Sequence, residues 1–434
     1  MSTHFEDNPS TPPDRWTKNT VLFLAGQTAS LFGSMIVQFA VMWYITLETR
    51  SGMALGLFML AAFGPQGVMS IFGGVLADRL DRKKLIIAAD AMIATTTLLL
   101  AVLMSVGLTD LWLILTAVAI RSVGAGVQTP TVQALIPQIV PQEHLMRING
   151  IFQTINSAMA LLAPAAGAAI YASAGIIAAF YLDVITAVIG IGFLFFVSVP
   201  TLQVPGENRG SYRRDLVEGM RYIGSNPVIR WLLVILALFF LLSQAPAMVI
   251  SPLLIAESFG TEPWMLAVMQ MLLSIGTKLG GLLVATLLAK RSRIGLLLGS
   301  AYAVAAFTVA LGLSPNLWVY YLFTFLFGLA IPAFSAPFMT LIQQTVEPGM
   351  LGRVFSYVSI AMTLSTPAGV IIFGPLADVV SLQGLLVGSG MALVVVLALA
   401  TALPSGRAAI RTAHTNPVAK EPETPSPTDG WARD

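Results

Sequence analysis

About twelve apolar stretches of roughly 20 residues, the length that a helix needs to cross a bilayer, divide this chain. Arginine and lysine lie almost entirely in every second loop between the stretches, and the remaining loops hold only Arg50. Positively charged loops stay in the cytoplasm. The alternation therefore predicts a multi-pass protein of the cell membrane with an even number of spans and both termini in the cytoplasm. The basic clusters are Arg79, Arg82, Lys83 and Lys84, then Arg209, Arg213, Arg214, Arg221 and Arg230, and then Lys290, Arg291 and Arg293.

Composition excludes several classes of protein. Hydrophobic residues make up 56% of the chain and charged residues 10%, whereas a soluble globular protein has about 25% charged residues. Cysteine is absent and three histidines occur, which excludes disulfides and thiolate metal sites and argues against a histidine metal centre. The sequence contains neither a Gly-Lys-Ser/Thr phosphate loop nor a His-Glu-x-x-His zinc motif. We therefore expect no enzyme activity, metal, cofactor or nucleic-acid partner.

The apolar stretches predict an all-α membrane protein, because open strands would leave backbone groups without hydrogen bonds in lipid. Residues 200–227 form a polar cytoplasmic loop, in which Tyr212, Met220 and Tyr222 have a spacing typical of a short amphipathic helix. Residues 1–18 form a polar N-terminal tail, and residues 405–434 are predicted to be disordered because they have almost nothing apolar to bury. We place the spans at 19–46, 54–76, 85–107, 111–136, 149–173, 175–199, 228–255, 264–288, 294–313, 316–345, 354–377 and 382–404.

The two halves of the chain resemble each other. Six identities between residues 134–148 and 340–354 share one offset of 206 residues. This repeat predicts two pseudo-symmetric six-helix bundles, residues 19–199 and 228–404. Transporters built in this way hold a small-molecule substrate between the halves and open to each side of the membrane in turn. The six pairs are Leu135 and Leu341, Ile136 and Ile342, Gln138 and Gln344, Val140 and Val346, Leu145 and Leu351, and Arg147 and Arg353.

The sharpest local motif joins the second and third spans on the predicted cytoplasmic side. Its glycines allow helix backbones to approach closely. An aspartate there can lie at a helix N-terminus or pair with an arginine, and so hold one conformation closed. The alternative is a basic loop that only fixes the orientation of the chain. The predicted conformational gate consists of Gly73, Gly74, Asp78, Arg79, Asp81, Arg82 and Lys83.

This order of residues, Gly-Gly followed by Ala-Asp-Arg and then Asp-Arg-Lys-Lys, resembles the signature loop of the major facilitator superfamily. Further runs in both halves are similar to the macrolide-efflux-type drug exporters of that superfamily. The resemblance implies the major facilitator fold and export of a lipophilic or amphipathic compound of the drug or macrolide kind, by proton antiport with alternating access. The runs are Gln38-Phe39-Ala40, Trp43-Tyr44-Ile45-Thr46, Ile120-Arg121-Ser122-Val123-Gly124 and Leu351-Gly352-Arg353-Val354-Phe355-Ser356.

Other functions stay open at this point. The same superfamily includes siderophore and metabolite exporters, and a uniporter or importer would share the fold. A non-transporting membrane receptor is disfavoured, because the tails hold no recognisable partner domain. We expect a monomer in the lipid bilayer that acts on a small molecule and on protons.

Ionisable residues inside spans are costly and usually functional. Arg121 lies in the fourth span, where the resemblance implies an arginine, and Asp183 lies in the sixth span. Together they are the predicted proton-coupling residues. Each has a structural alternative: Arg121 could bind backbone carbonyls, and Asp183 could join two helices by hydrogen bonds.

Further polar residues complete the predicted site. Asp90 is predicted to pair with Arg79 or Arg82 rather than to couple protons, and Asp378 is predicted to be a cap at the membrane interface. Lys278 could face the cavity or extend toward the inner surface. Intramembrane amides often join helices, so only some are expected to face the substrate. The candidates for the substrate cavity are Gln27, Gln38, Phe39, Trp43, Asn156, Gln244, Gln270 and Lys278.

Overall fold

A computed structural model of the chain describes residues 13–199, 212–289, 291–347, 350–402, 406–407 and 410–411. In these ranges every regular element is helical. A 3₁₀ turn at Gln142–His144 precedes α5, and π-helical turns at Phe240–Gln244 and Val284–Leu288 follow α7 and α9. The α-helices are α1 (Pro13–Thr49), α2 (Gly52–Arg79), α3 (Arg82–Ser105), α4 (Leu111–Ile139), α5 (Leu145–Phe195), α6 (Tyr212–Ser225), α7 (Pro227–Phe239), α8 (Ala245–Ser258), α9 (Pro263–Leu283), α10 (Arg293–Gly312), α11 (Leu317–Thr345), α12 (Leu351–Ala377) and α13 (Leu382–Ala402).

Eleven helical segments in the described ranges are long and apolar enough to cross a membrane. One of them contains α5, which has 51 residues and at about 1.5 Å per residue is far longer than a bilayer is thick. Gly175 interrupts α5 with a φ of 76°, a left-handed conformation that glycine adopts without a steric penalty. Helix α5 therefore holds two spans, as predicted, and the fold has twelve spans in two pseudo-symmetric six-helix bundles.

The observed spans agree with the predicted ones to within a few residues at most ends. The largest difference is at α1, which begins at Pro13 rather than at residue 19. Helices α7 and α8 form one span, Pro227–Ser258, through the π-helical turn between them. The predicted amphipathic helix within 200–227 is confirmed as α6. Residues 1–12, 200–211 and 412–434 lie outside the described residues, so the predicted disorder of the C-terminal tail stays a prediction.

The two bundles together have two ends, which differ in charge. We call the end with the loops at Leu80–Asp81 and Arg291–Ser292 the basic end, and the other end the opposite end. At the basic end, α6 is attached to the neighbouring helices, because Glu218 pairs with Arg353 at 3.3 Å and the Tyr222 hydroxyl accepts a hydrogen bond from the Glu347 backbone N–H at 3.2 Å.

Helices α2 and α12 close the opposite end. They meet through glycines, since a Cβ atom on Gly52 would collide with the backbone of α12 at Gly374. Asp378 accepts hydrogen bonds from the Ser51 hydroxyl at 3.0 Å and from the backbone N–H groups of Gly52 at 2.6 Å and Met53 at 3.2 Å. The predicted cap is thus confirmed, and it joins a helix of the second bundle to the first turn of α2.

Candidate functional site

Helices α1 to α5 enclose a cavity of about 770 Å³, within the range of roughly 300–1,000 Å³ that is typical of small-molecule sites. Its lining residues at the basic end, such as Gln133 and Asn149, are exposed, whereas Val41 and Phe58 at the far end are buried. The cavity is therefore open at the basic end and closed toward the opposite end. Amides dominate its polar wall: Gln27, Gln38, Gln66, Gln128, Gln133, Asn149, Gln153 and Asn156.

The structure brings three of the predicted cavity residues, Gln27, Gln38 and Asn156, to this cavity. Phe39 and Trp43 do not line it. Their rings stack with centroids 5.9 Å apart, and Trp43 is fully buried. These two aromatic residues contribute to helix packing in the described conformation.

The predicted cavity residues of the second bundle lie elsewhere. Gln244 ends the π-helical turn after α7, and Gln270 and Lys278 lie in α9, where Lys278 is exposed. All the residues that line the cavity belong to α1–α5. Contact of Gln244, Gln270 and Lys278 with a substrate therefore stays a prediction, and it requires another conformation.

Arg121 on α4 and Asp183 in the second span of α5 form an ion pair. Asp183 is fully buried, and its carboxylate also accepts hydrogen bonds from the Ser34 hydroxyl at 3.2 Å and the Thr97 hydroxyl at 3.0 Å. Arg121 lines the cavity. The structure thus brings both predicted proton-coupling residues together at the cavity wall, where a low dielectric strengthens their attraction.

Gly33 allows Asp183 to reach this position. A Cβ atom on Gly33 would lie 3.0 Å from the Asp183 Cα atom and would collide with the Thr186 hydroxyl. One face of α1 makes a second close contact of this kind, because Gly26 and Gly190 approach each other's backbone carbonyls. Small residues permit such approaches between membrane helices. The seven-residue spacing of the two glycines of α1 is a sequence signal for this contact.

The structure contradicts the predicted pairing of Asp90 with Arg79 or Arg82. Asp90 is buried, with 2% of its surface exposed. Its Oδ1 atom accepts hydrogen bonds from the Ser30 hydroxyl at 2.6 Å and the Gln128 amide at 2.7 Å. The prediction was wrong because it relied on closeness along the chain, whereas the Asp90 face of α3 packs against α1 and α4.

Ser122 interrupts the hydrogen-bond ladder of α2 beside the cavity. Its hydroxyl donates to the Ala62 carbonyl at 2.6 Å and accepts from the Gln66 backbone N–H at 2.9 Å. In a regular helix those two backbone groups would bind each other. Insertion of a side chain into the ladder bends a helix, and Pro65 lies at the same turn. We therefore expect α2 to bend at this turn beside the cavity.

Arg82 in the predicted gate ties α2 to α4. Its Nε atom donates to the Ala77 carbonyl and its Nη1 atom to the Ala134 carbonyl, each at 2.8 Å. The Ala77 carbonyl lies in the last turn of α2, where carbonyls lack intrahelical partners, so the guanidinium caps α2 and joins it to α4. Arg79, in the last turn of α2, is exposed.

Lys83 connects α3 to the end of α5. Its Nζ atom donates to the carbonyls of Phe195 at 2.9 Å and Val197 at 2.7 Å. A cation at a helix C-terminus also interacts favourably with the helix dipole. The neighbouring Asp81 caps α3 by accepting a hydrogen bond from the Lys84 backbone N–H at 3.2 Å.

The glycines of the predicted gate differ in their surroundings. Gly73 packs α2 against α4, since a Cβ atom there would lie 2.7 Å from the Gly126 carbonyl oxygen. A Cβ atom on Gly74 would have open space around it. The Asp78 side chain lies outside the described residues, so its action as a latch stays a prediction.

Apolar side chains, amides and Arg121 of the ion pair line the cavity. In the described ranges, no group of three or more His, Asp or Glu side chains could hold a metal ion. Sequence reasoning missed four residues that hold the carboxylates: Ser30, Ser34, Thr97 and Gln128. The spacing of Ser30 and Ser34, which places them on one face of α1, was a usable signal.

The sequence matches the Major Facilitator Superfamily over residues 23–370. The chain belongs to this superfamily. It is a multi-pass membrane transporter, and the superfamily is one of transporters rather than enzymes. The chain is 30% identical over 368 residues to Macrolide efflux protein A of Streptococcus pyogenes, covering 84% of this chain and 91% of that protein. This similarity confirms the predicted relation to macrolide-efflux-type members of the major facilitator superfamily.

Two further major facilitator comparisons extend this finding. The chain is 26% identical over 324 residues to the enterobactin exporter EntS of Escherichia coli O81 (strain ED1a), covering 71% of this chain and 73% of that protein. The fold is similar to that of a bacterial homologue of the human lysosomal transporter Spinster in an inward-facing, unoccupied conformation. That likeness has a TM-score of 0.65 at 16% identity and covers 95% of this chain and 100% of the other. The predicted major facilitator fold is confirmed.

Proposed function

We propose that this transporter exports a lipophilic or amphipathic small molecule of the drug or macrolide kind in exchange for protons. The Arg121–Asp183 ion pair at the cavity wall carries the proposal. Apolar side chains and amides line a cavity large enough for a drug-sized molecule. Similarity to a protein named Macrolide efflux protein A supports the choice of cargo.

The cavity is proposed to open to each side of the membrane in turn. In the described conformation it is open at the basic end, and Asp378 and the α2–α12 contact hold the opposite end closed. Basic loops stay in the cytoplasm, so we assign the basic end and both termini to the cytoplasmic side of the cell membrane. Export then requires the α2–α12 contact to separate while the gate motif closes the basic end.

Asp183 and Arg121 are proposed to couple this change to protons. While Asp183 is ionised, its attraction holds Arg121 and α4 against α5. A proton on Asp183 removes that attraction and releases the guanidinium. A proton can shift the balance between two conformations only by binding them with different affinities. The ion pair supplies such a difference, because its strength depends on the distance between α4 and α5.

The proton gradient supplies enough energy for this export. One proton that crosses a potential of 100 mV releases about 2.3 kcal/mol. Since each ten-fold concentration ratio corresponds to about 1.4 kcal/mol, this supports a gradient of a neutral cargo on the order of fifty-fold. Exchange of one proton for a neutral cargo therefore draws on the membrane potential, whereas exchange for a monovalent cation moves no net charge and draws only on the pH difference, which supports about a ten-fold ratio per pH unit.

Asp183→Asn tests the coupling. In inside-out vesicles with an imposed pH gradient and labelled erythromycin as the probe, we expect this variant to be expressed but to lose gradient-driven uptake. The matched control is Asp110→Asn, which neutralises an exposed carboxylate without a side-chain cap hydrogen bond at the start of α4 and should behave like the wild type. Unchanged gradient-driven uptake by Asp183→Asn would remove Asp183 from the mechanism.

A siderophore is the second candidate cargo, because of the similarity to an enterobactin exporter. Uptake of enterobactin and of erythromycin by the same vesicles separates the two candidates. A uniporter would move its cargo equally well without a pH gradient, and an importer would move it in the other direction. We also propose that the monomer is the transport unit, since helices of one chain enclose the cavity; the mass of the active particle in detergent tests this.

A further inference from the structure

Asp90 is a buried carboxylate without a counter-ion among the described residues. Its Oδ1 atom accepts the hydrogen bonds from Ser30 and Gln128. Its Oδ2 atom is buried and has no hydrogen-bond partner in the part of the chain that the structure describes. A buried carboxylate that lacks a partner is strongly destabilising, so this group requires a positive charge from outside the fold or a proton.

The charged groups around Asp90 do not neutralise it. Arg121, from α4, forms its ion pair with Asp183. Asp183, from α5, has the same sign as Asp90, and the hydroxyls that bind the two carboxylates, Ser30 and Ser34, lie one turn apart on α1. At the start of α3, Arg82 and Lys83 donate to backbone carbonyls at the basic end. One positive and two negative groups therefore leave this cluster with one negative charge when no proton is bound.

We propose that Asp90 is a proton-binding site of the transport cycle, and that its proton is exchanged for a monovalent cation that binds in the cavity. The inference rests on the proposed function, which is export in exchange for protons. One proton is exchanged per cycle: Asp90 holds it in the described conformation, where Asp183 stays paired with Arg121, and Asp183 takes up the same proton when that pair separates.

Ser30 provides a route for this proton. Its hydroxyl donates to Asp90 at 2.6 Å and also lines the cavity. A hydroxyl both donates and accepts hydrogen bonds, so it can pass a proton between water in the cavity and the carboxylate. The Gln128 amide binds the same oxygen and lines the cavity as well. Asp90 thus lies behind Ser30 and Gln128, which line the cavity. It interacts electrostatically with a charged molecule in the cavity but does not contact it.

Charge balance defines the class of cargo. The charged side chain that lines the cavity, Arg121, is already neutralised by Asp183. The site is neutral either with a proton on Asp90 or with Asp90 ionised and a monovalent cation in the cavity. An amphipathic amine fits, because apolar side chains hold its body and amides hold its polar groups. Binding of the cation then lowers the affinity of Asp90 for a proton, and a bound proton lowers the affinity for the cation by an equal factor.

The proton site can be tested without any cargo. In the infrared difference spectrum between acidic and alkaline buffer, the purified wild-type chain should show the carbonyl stretch of a protonated carboxylic acid. Other carboxylates, Asp183 among them, contribute to this band, so Asp90→Asn should lose one component of it, which Asp90→Glu and the control Asp110→Asn should retain. Asparagine can still accept the hydrogen bonds from Ser30 and Gln128, so the fold is expected to persist. A band that is unchanged in Asp90→Asn would overturn the assignment.

Erythromycin, an amphipathic monovalent cation, tests the exchange in proteoliposomes. The wild type should accumulate it under a pH gradient but not under a potassium diffusion potential alone, because exchange of one proton for one such cation moves no net charge. The affinity of the wild type for erythromycin should weaken about ten-fold for each unit by which the pH falls, over the range in which Asp90 titrates. This is the slope expected when one proton is displaced. Asp90→Asn should lose most of the accumulation and bind erythromycin with an affinity that does not change with pH.

The possible failures are distinguishable. If the wild type accumulates no erythromycin under a pH gradient, the proposed function fails, and the infrared band alone decides whether Asp90 binds a proton. If the wild type accumulates erythromycin and Asp90→Asn matches it in extent and in pH dependence, the Asp90 site is wrong. If a membrane potential alone drives accumulation, exchange without net charge movement is wrong.

Discussion

The cap that Asp378 places on α2 is expected to set the balance between the two conformations. Its carboxylate accepts three hydrogen bonds, from the Ser51 hydroxyl and from the backbone N–H groups of Gly52 and Met53. Removing an N-terminal cap costs about 1 kcal/mol, with a range of roughly 0.5–2. Because Asp378 is exposed, we use the middle of that range. The contact joins the two bundles only while the opposite end is closed, so its loss should shift the population about five-fold toward the other conformation.

Spin labels on Thr109→Cys and Thr261→Cys measure this shift. The two positions lie in loops of the first and second bundles at the opposite end, and the chain has no native cysteine that would also react. Double electron–electron resonance should show a larger population at long distances in Asp378→Ala. Asp378→Asn should change it less, because an asparagine oxygen also caps helices. Identical distance distributions in the wild type and Asp378→Ala would refute the reasoning, and Asp110→Asn controls for the loss of an exposed charge.

Other contacts lead to predictions that can be checked with the same preparations. Gly33→Ala should displace α5 from α1, lower the melting temperature and reduce pH-driven transport, whereas Gly150→Ala, which has open space around its Cβ position, should lower neither. Ser122→Ala removes the inserted hydroxyl from the ladder of α2 and should destabilise the fold by about 1–3 kcal/mol, measured by denaturant unfolding in detergent. Lys83→Met should destabilise by about 1 kcal/mol through loss of the cap on α5, while Lys84→Met, whose ammonium is exposed and 3.9 Å from its carboxylate partner, should change stability by less than about 0.5 kcal/mol.

The spans could be predicted because the bilayer acts on every span in the same way, whereas the family was predicted from the resemblance of short motifs. Hydropathy reports the apolar interior, and loop charge reports orientation. Neither reports structure beyond the bilayer, which is why the extension of α1 back to Pro13 was missed. The turn within α5 consists of a single glycine with positive φ, Gly175, so no polar loop marks that boundary in the sequence.

Individual residues of the site could be predicted from the sequence, but the contacts between them could not. Arg121 and Asp183 were recognisable because charge inside a span is rare. Their contact joins positions 62 residues apart, and it depends on the turn of α5 and on the space at Gly33. Asp90 was misassigned because α3 is apolar on nearly all its faces, so the sequence has no pattern that fixes which face turns toward α1 and α4.

The two bundles have the same fold but different side chains at matched positions. Helices α4 and α11 each have 29 residues, and the repeat offset of 206 places Arg121 opposite Phe327 and Gln128 opposite Phe334. Both phenylalanines are buried, and Phe334 stacks on Phe239 with ring centroids 3.9 Å apart. At these two positions the first bundle has polar side chains that form an ion pair or a hydrogen bond, whereas the second has buried phenylalanines that contribute packing energy. We infer that proton coupling resides in the first bundle, and that the second bundle provides the packed surface against which the cavity opens and closes.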